Sequence, residues 1–220
     1  GKIVYEANLR QGIEQGALVP FRYRGLRDTI DYAPIPWRAG RFDPDALMAA
    51  SQTQKRLAHL WEVWQSSDAT RTLVFCCSIE HASRMAQWLG EQGVRAVAVH
   101  SGATSADRAE SIAALAEGKL DTVCTVDLFN EGLDIPSIDR VVMLRPTDSR
   151  VIFLQQLGRG LRTSSETGKS TLEVIDFVGN HRTFLDRLRL VLEIGSGSLV
   201  ALRAFLQDEE NAALSLPPGC

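Results

Sequence analysis

Between residues 70 and 178 the chain alternates short apolar runs with stretches whose apolar residues recur at helical spacing. Thr72-Leu73-Val74-Phe75-Cys76-Cys77 is a continuous apolar run, as a strand buried on both faces requires. Residues 79–89 then predict a helix that stops at Gly90 or Gly93, and 94–99 a second strand. Thr104 is a candidate cap for a helix reaching Glu117, where Gly118 ends it. Residues 122–126 and 140–144 predict strands three and four. Ser149 is placed to cap a helix through Leu161, and 171–176 predict strand five. Strands that alternate with helices in this way predict an α/β fold, a three-layer parallel β-sheet flanked by helices.

The flanks read differently. Residues 1–42 are irregular, punctuated by Gly12, Gly16, Pro20, Gly25, Pro34, Pro36 and Gly40. Leu18-Val19-Pro20-Phe21-Arg22-Tyr23 suits an edge strand, the one kind that tolerates proline. Asp43-Pro44 opens a helix well, and Leu47, Leu57, Leu60, Trp61 and Trp64 carry it to residue 66. Residues 181–194 and 199–209 read as helices joined by Gly195-Ser196-Gly197-Ser198, and Leu216-Pro217-Pro218-Gly219-Cys220 as a turn at a boundary. The expected division is 1–69, an N-terminal linker or edge segment and helix; 70–178, the α/β domain; and 179–220, a C-terminal helical extension.

Composition narrows the classes. The 220 residues are 45% hydrophobic and 23% charged, an ordinary globular balance. No apolar run is long enough to span a membrane, and the start lacks the basic and apolar segments of a secretory signal. The missing initiator Met suggests an excised piece of something longer. Lys plus Arg number 24 against 27 Asp plus Glu, which excludes a wholesale basic coat but not a local basic face. Lysine occurs only at Lys2, Lys55, Lys119 and Lys169, so the other 20 cations are arginines. Cys76, Cys77, Cys124 and Cys220 form no C-x-x-C pair; a zinc or disulfide framework is not expected, and a reducing, cytoplasmic setting is.

One phosphate motif is a decoy. Gly168-Lys169-Ser170 resembles the end of a P-loop, but its first glycine would fall at Thr163, and it precedes a strand instead of leaving one. It reads as a polar turn. Asn130-Glu131-Gly132-Leu133-Asp134-Ile135-Pro136 and Gln155-Gln156-Leu157-Gly158-Arg159-Gly160-Leu161-Arg162 carry more, because both follow the carboxyl ends of predicted strands, where open α/β sheets bind ligands. Arg159 and Arg162 are three apart, on one helix face, a pair suited to a phosphoryl group; two cations favouring a helix C-terminus is the alternative. His81 reads as a surface or cap residue, with phosphate contact as its alternative. Arg22, Arg24 and Arg27 read as a solvated face, and Trp61, Trp64 and Trp88 as packing residues.

At these residues the chain resembles the second, RecA-like motor domain of superfamily two helicases. Leu73-Val74-Phe75-Cys76-Cys77-Ser78 resembles motif four; Val99-His100-Ser101-Gly102 with Arg108, the segment after it; Val126-Asp127 through Pro136, motif five; and Gln155-x-x-Gly158-Arg159-x-x-Arg162, motif six. The Glu-Gly-x-Asp-Ile-Pro form and the Gln-type motif six resemble the type III restriction subunit (ResIII-like) branch more than DEAD-box RNA helicases.

The resemblance implies roles. Arg159 and Arg162 would be arginine fingers reaching ATP on a partner domain. Gln155, Gly132 and Asp134 would lie at the nucleotide, and Ser78, His100, Ser101, Gly102 and Arg108 at the nucleic-acid backbone. Val126 stands where many relatives carry Thr, so a hydroxyl contact is lost unless Thr125 supplies it. No P-loop lysine and no D-E-x-H or D-E-A-D run is present; in the family these hold ATP and Mg2+ on the first motor domain, to which 1–69 would connect. The implied function is the second motor domain of an ATP-dependent helicase or translocase, inactive alone, acting on nucleic acid with DNA favoured. The alternative is a non-catalytic RecA-like module that grips nucleic acid or protein.

Overall fold

The computed structural model of the chain describes residues 9–27, 30–31, 33–38, 41–51, 53–126, 135–144, 158 and 160–178. In chain order its elements are α1 (Leu9–Glu14), β1 (Phe21–Arg27), β2 (Trp37–Arg38), β3 (Arg41–Phe42), α2 (Pro44–Ser51), α3 (Gln54–Gln65), β4 (Thr72–Phe75), α4 (Ile79–Glu91), β5 (Ala96–Val99), α5 (Arg108–Ala116), β6 (Thr122–Thr125), β7 (Arg140–Met143) and β8 (Leu172–Val178). Six strands form one sheet in the order β1-β8-β7-β4-β6-β5, every pair parallel. Strands β2 and β3 make a separate two-residue antiparallel ladder.

Alternation along each strand sends neighbours to opposite faces. Leu73 and Phe75, Val123, Val141 and Met143, Leu172 and Val174 share one core with Leu115 of α5, Ile13 of α1 and Leu161. Val74, Cys124, Val142, Ile175 and Phe177 share the other with Leu60 and Trp64 of α3 and Met85 and Leu89 of α4. The sheet is therefore covered on both faces, which is why the middle positions of its central strands, Leu73-Val74, Val123-Cys124 and Val141-Val142, are apolar. Cys76 sits in the second core, where burial pushes its thiol pKa well up and keeps it a small packing residue.

The predicted strands and the helix after β4 are all present, with two differences. The long helix expected over 43–66 is two, because Thr53 caps α3 anew, its Oγ1 accepting from the Arg56 N–H. Helix α5 starts after Asp107, not Thr104: the Asp107 carboxylate accepts from the Glu110 N–H at 2.9 Å, a stronger acceptor for that first-turn donor. Gly118, at φ 74°, turns the chain out of α5 in the left-handed conformation that only glycine adopts freely. The expected helices beyond residue 180 lie outside the described residues.

The N-terminal segment joins the sheet. β1 pairs with β8 from Phe21↔Leu172 to Arg27↔Val178, and Pro20, just before it, needs no ladder N–H; its carbonyl accepts from Leu172. Arg24 turns inward instead of joining a solvated face: its Nε lies 3.3 Å from Glu173 Oε1, and its Nη1 donates to Ser66. Beside it, fully buried Arg140 donates from Nε to Glu173 Oε2 at 2.7 Å and from Nη2 to the Trp64 carbonyl at 3.0 Å, its guanidinium 4.6 Å over the Trp64 ring. This network ties α3, β1, β7 and β8 together at the amino ends of the strands.

Candidate nucleotide and nucleic-acid edge

Strands β7, β4, β6 and β5 are consecutive in the sheet, so their carboxyl ends form one continuous edge. Gly160, Leu161 and Arg162 lie beside the amino ends of β1 and β8, whereas 76–78 after β4, 100–102 after β5 and Val126 after β6 leave from this edge. Parallel pairing alone achieves this, since every strand then ends on the same side. Gly132, Asp134, Gln155 and Arg159 lie outside the described residues; Ser78, His100, Ser101, Gly102, Arg108 and Arg162 lie within them.

The structure brings Ser78 and the 100–102 segment together. Ser78 is the N-cap of α4, its Oγ accepting from the His81 N–H at 3.1 Å. A Cβ on Gly102 would sit 3.2 Å from His100 Nδ1 and 3.5 Å from Ile79 Cγ2, so the two loops meet at this glycine. His100 is buried: Nδ1 accepts from the Gly102 N–H at 3.1 Å and Nε2 lies 3.2 Å from Ser83 Oγ. Its backbone N–H donates to Ser105 Oγ. The imidazole thus shapes the loop and leaves Ser101 exposed at its tip. Arg108 opens α5 and is exposed. Helices α4 and α5 both begin at this edge, and helix N-termini favour phosphate.

Two sequence readings change. His81 is wholly buried, not at the surface: Nδ1 accepts from the Cys77 N–H at 3.3 Å and lies 3.0 Å from Cys77 Sγ. Burial, with a smaller contribution from the Arg56 cation, pushes its pKa down to about 3, so it is neutral and holds the chain just before Ser78. Thr125 does not stand in for the threonine replaced by Val126, because its hydroxyl is buried and donates to the Val99 carbonyl at 2.8 Å.

At the motif-six end the helical turn stops at Leu161. Arg162 is exposed and its backbone bridges Leu18 in antiparallel fashion, so its direction is set by that bridge and not by helical spacing. The Leu161 carbonyl accepts from Val19 at 2.8 Å. Gly160 is packed on β8 so closely that a Cβ would lie 2.4 Å from Leu172 Cδ1.

Lys169, set aside in the sequence with the decoy turn, points inward. Its ammonium donates to the carbonyls of Pro136, of Ile138 at 2.8 Å and of Gly160 at 3.0 Å. Burial lowers its pKa to about 8 against an opposing influence from Asp139. With three donors spent on backbone, it is no phosphate ligand. The one hint in the sequence was its type: one of four lysines in a chain with 20 arginines, where a compact ammonium fits converging carbonyls better than a planar fork.

Among the described residues no group of three His, Cys, Asp or Glu side chains could hold a metal ion, and no helix is long and apolar enough to cross a membrane.

The profile of the helicase conserved C-terminal domain matches residues 53–164, just over half of the chain. The chain belongs to that family. This helicase C-terminal domain is 25% identical over 182 residues, 81% of its length, to IRC3 of Saccharomyces cerevisiae, named as an ATP-dependent helicase. It is 26% identical over 166 residues, 74% of its length, to the ATP-dependent RNA helicase SrmB of Escherichia coli. It spans 26% and 37% of those two relatives. Among solved structures, a fragment named as the HsdR subunit of a type I restriction enzyme from Vibrio vulnificus YJ016 is 27% identical with a TM-score of 0.66, covering 84% of this chain and 36% of that one. The C-terminal domain of the DEAD-box protein Dbp5 shares the fold, with a TM-score of 0.51 at 15% identity, covering 79% of this chain and 84% of that one. The helicase C-terminal domain is thus a superfamily two, RecA-like domain, and its relatives are ATP-dependent helicases.

Proposed function

We propose that this chain is the second motor domain of an ATP-dependent helicase or translocase, completing an ATP site on a first motor domain and gripping part of the nucleic-acid backbone. The observation that carries the reading is the carboxyl edge of β4 and β5, where the loop holding Ser78 and the 100–102 loop meet at Gly102 beside the starts of α4 and α5. In this reading Arg159 and Arg162 are fingers that neutralise charge on the transferring phosphoryl group, and Gln155, Gly132 and Asp134 line the nucleotide. ATP supplies the hydrolysis chemistry when bound, and the P-loop and Mg2+ ligands belong to the first motor domain. Ser78, Ser101, Gly102 and Arg108 face the backbone of the strand, and His100 holds their loop. Domain closure brings the arginines to the phosphate; reopening releases it and shifts the backbone grip.

DNA is the favoured polymer. The Glu131-Gly132-Leu133-Asp134-Ile135-Pro136 form and the likeness to a restriction subunit support it. The reading is tested in the parent protein. Arg159→Ala or Arg162→Ala should remove turnover by roughly 10³–10⁵ while ATP binding, resting on the first domain, is largely kept. Lys at either position should not rescue, since a point ammonium lacks the planar fork. A folded double variant hydrolysing ATP within about threefold of the parent refutes the finger assignment.

A further inference from the structure

We propose that Lys169 is a positioning residue for the motif-six arginines, tying the exit of motif five to the peptide between them. This rests on the finger reading above. Gly160 stands between Arg159 and Arg162 in sequence, and its carbonyl is one of the three that Lys169 holds. The other two, from Pro136 and Ile138, belong to the end of motif five and the turn into β7. One ammonium therefore links the turn into β7 with the end of motif six, beside the amino ends of β7 and β8.

The geometry gives this link a specific place. The Gly160 turn is held from beneath by Leu172, which leaves no space for a Cβ. On one side it is held by main chain, through the Leu161 carbonyl with Val19 and the Leu18–Arg162 bridge. Lys169 joins it to motif five. A carbonyl at the end of a helical turn has no intrahelical partner, and a lysine is a fitting donor to it. Lys169 is itself fixed, in the Ser164–Lys169 bridge, after Gly168 at φ 63°. Its three donors match three converging acceptors, a demand that one nitrogen meets and a guanidinium does not.

Fingers act through placement, and an error of about 1 Å far from the chemistry can cost about 10²-fold in rate. Loss of the clamp should therefore lower kcat and leave ATP affinity nearly alone.

The experiment uses the parent protein, with nucleic-acid-stimulated ATP hydrolysis measured for wild type, Lys169→Met, Arg159→Ala/Arg162→Ala and the triple variant. Expected is a fall in kcat of about 10- to 100-fold for Lys169→Met, with KM for ATP within about threefold of wild type and no further loss in the triple variant relative to the double. Unchanged kcat in Lys169→Met, beside an inactive arginine double variant, overturns this inference and leaves the finger reading standing. Equal losses in both backgrounds also overturn it, since a merely structural lysine would act without the arginines. An active arginine double variant overturns the finger reading itself. If Lys169→Met does not fold, Lys169→Arg decides: reduced kcat at unchanged KM supports the clamp, and wild-type kcat overturns it.

Discussion

His81 gives the chain an acid-sensitive point whose size follows from its surroundings. Its Nδ1 accepts from the Cys77 N–H, so the proton of the neutral ring is on Nε2, which is buried without a hydrogen-bond partner. Protonation would turn Nδ1 from acceptor to donor against another donor, inside a core that already holds the Arg56 cation. The folded-state pKa, about 3, lies below the ordinary 6.5. The unfolded chain therefore binds the proton first, and the stability this site contributes is present above pH 6.5 and lost as pH falls toward 3. A tenfold step in proton affinity is worth about 1.4 kcal/mol. At pH 5 the loss is about 2 kcal/mol, and near pH 3 about 4–5 kcal/mol. The assay is urea unfolding of the chain at pH 7.0 and 5.0, wild type against His81→Asn, whose Oδ1 takes the place of Nδ1 as acceptor for Cys77. Other groups titrate in both proteins, so the difference between their pH responses isolates His81. Wild type should lose about 2 kcal/mol more than the variant on going to pH 5. Equal losses would falsify the account, because a buried neutral imidazole cannot be removed without removing its pH dependence.

The remaining expectations concern the sheet's two ends and the isolated chain. Arg140→Met should cost about 3 kcal/mol in a urea melt, since it leaves buried Glu173 with Arg24 as its remaining cation, and adding Glu173→Gln should recover part of it; a loss below about 1 kcal/mol would show the pair to be solvated. Gly160→Ala should cost about 1–3 kcal/mol by forcing a Cβ onto Leu172, and combining it with Leu172→Ala should cost less than the two single losses together. The isolated chain should show no nucleic-acid-stimulated ATP turnover, and should bind a labelled single strand weakly with affinity falling as salt rises; salt-independent tight binding would contradict a grip by a few cations and backbone donors.

The strands were legible because a parallel sheet covered on both faces leaves continuous apolar runs such as 72–77, and β1 was legible as an edge because proline precedes it. The break between α2 and α3 was hidden, since apolar spacing continues through it and only the Thr53 hydroxyl interrupts the helix. The motif residues were legible from type and order, and parallel pairing explains why the loops after β4 and β5 meet. His81 and Lys169 were not. A polar residue at the start of a helix or in a turn reads as exposed, and what buries these two arrives from distant segments: Arg56 at one, the carbonyls of 136–138 at the other. Asp107 outbid Thr104 as a cap through position relative to the first-turn amides, which composition does not reveal.

The pairing of β1 with β8 sets an order of events during synthesis. Phe21 must wait for Leu172, some 150 residues later, before its ladder can form. At about 5–20 residues per second that interval is roughly 8–30 s, far longer than the microseconds in which a hairpin closes. The four strands β4 to β7 can assemble meanwhile, since their partners arrive within a much shorter stretch of chain. Phe21, wholly buried at the end, spends that time without its partner strand. The first of these six strands to be made is thus among the last to dock, and the nascent chain carries an unpaired apolar segment that a chaperone can hold until β8 has emerged.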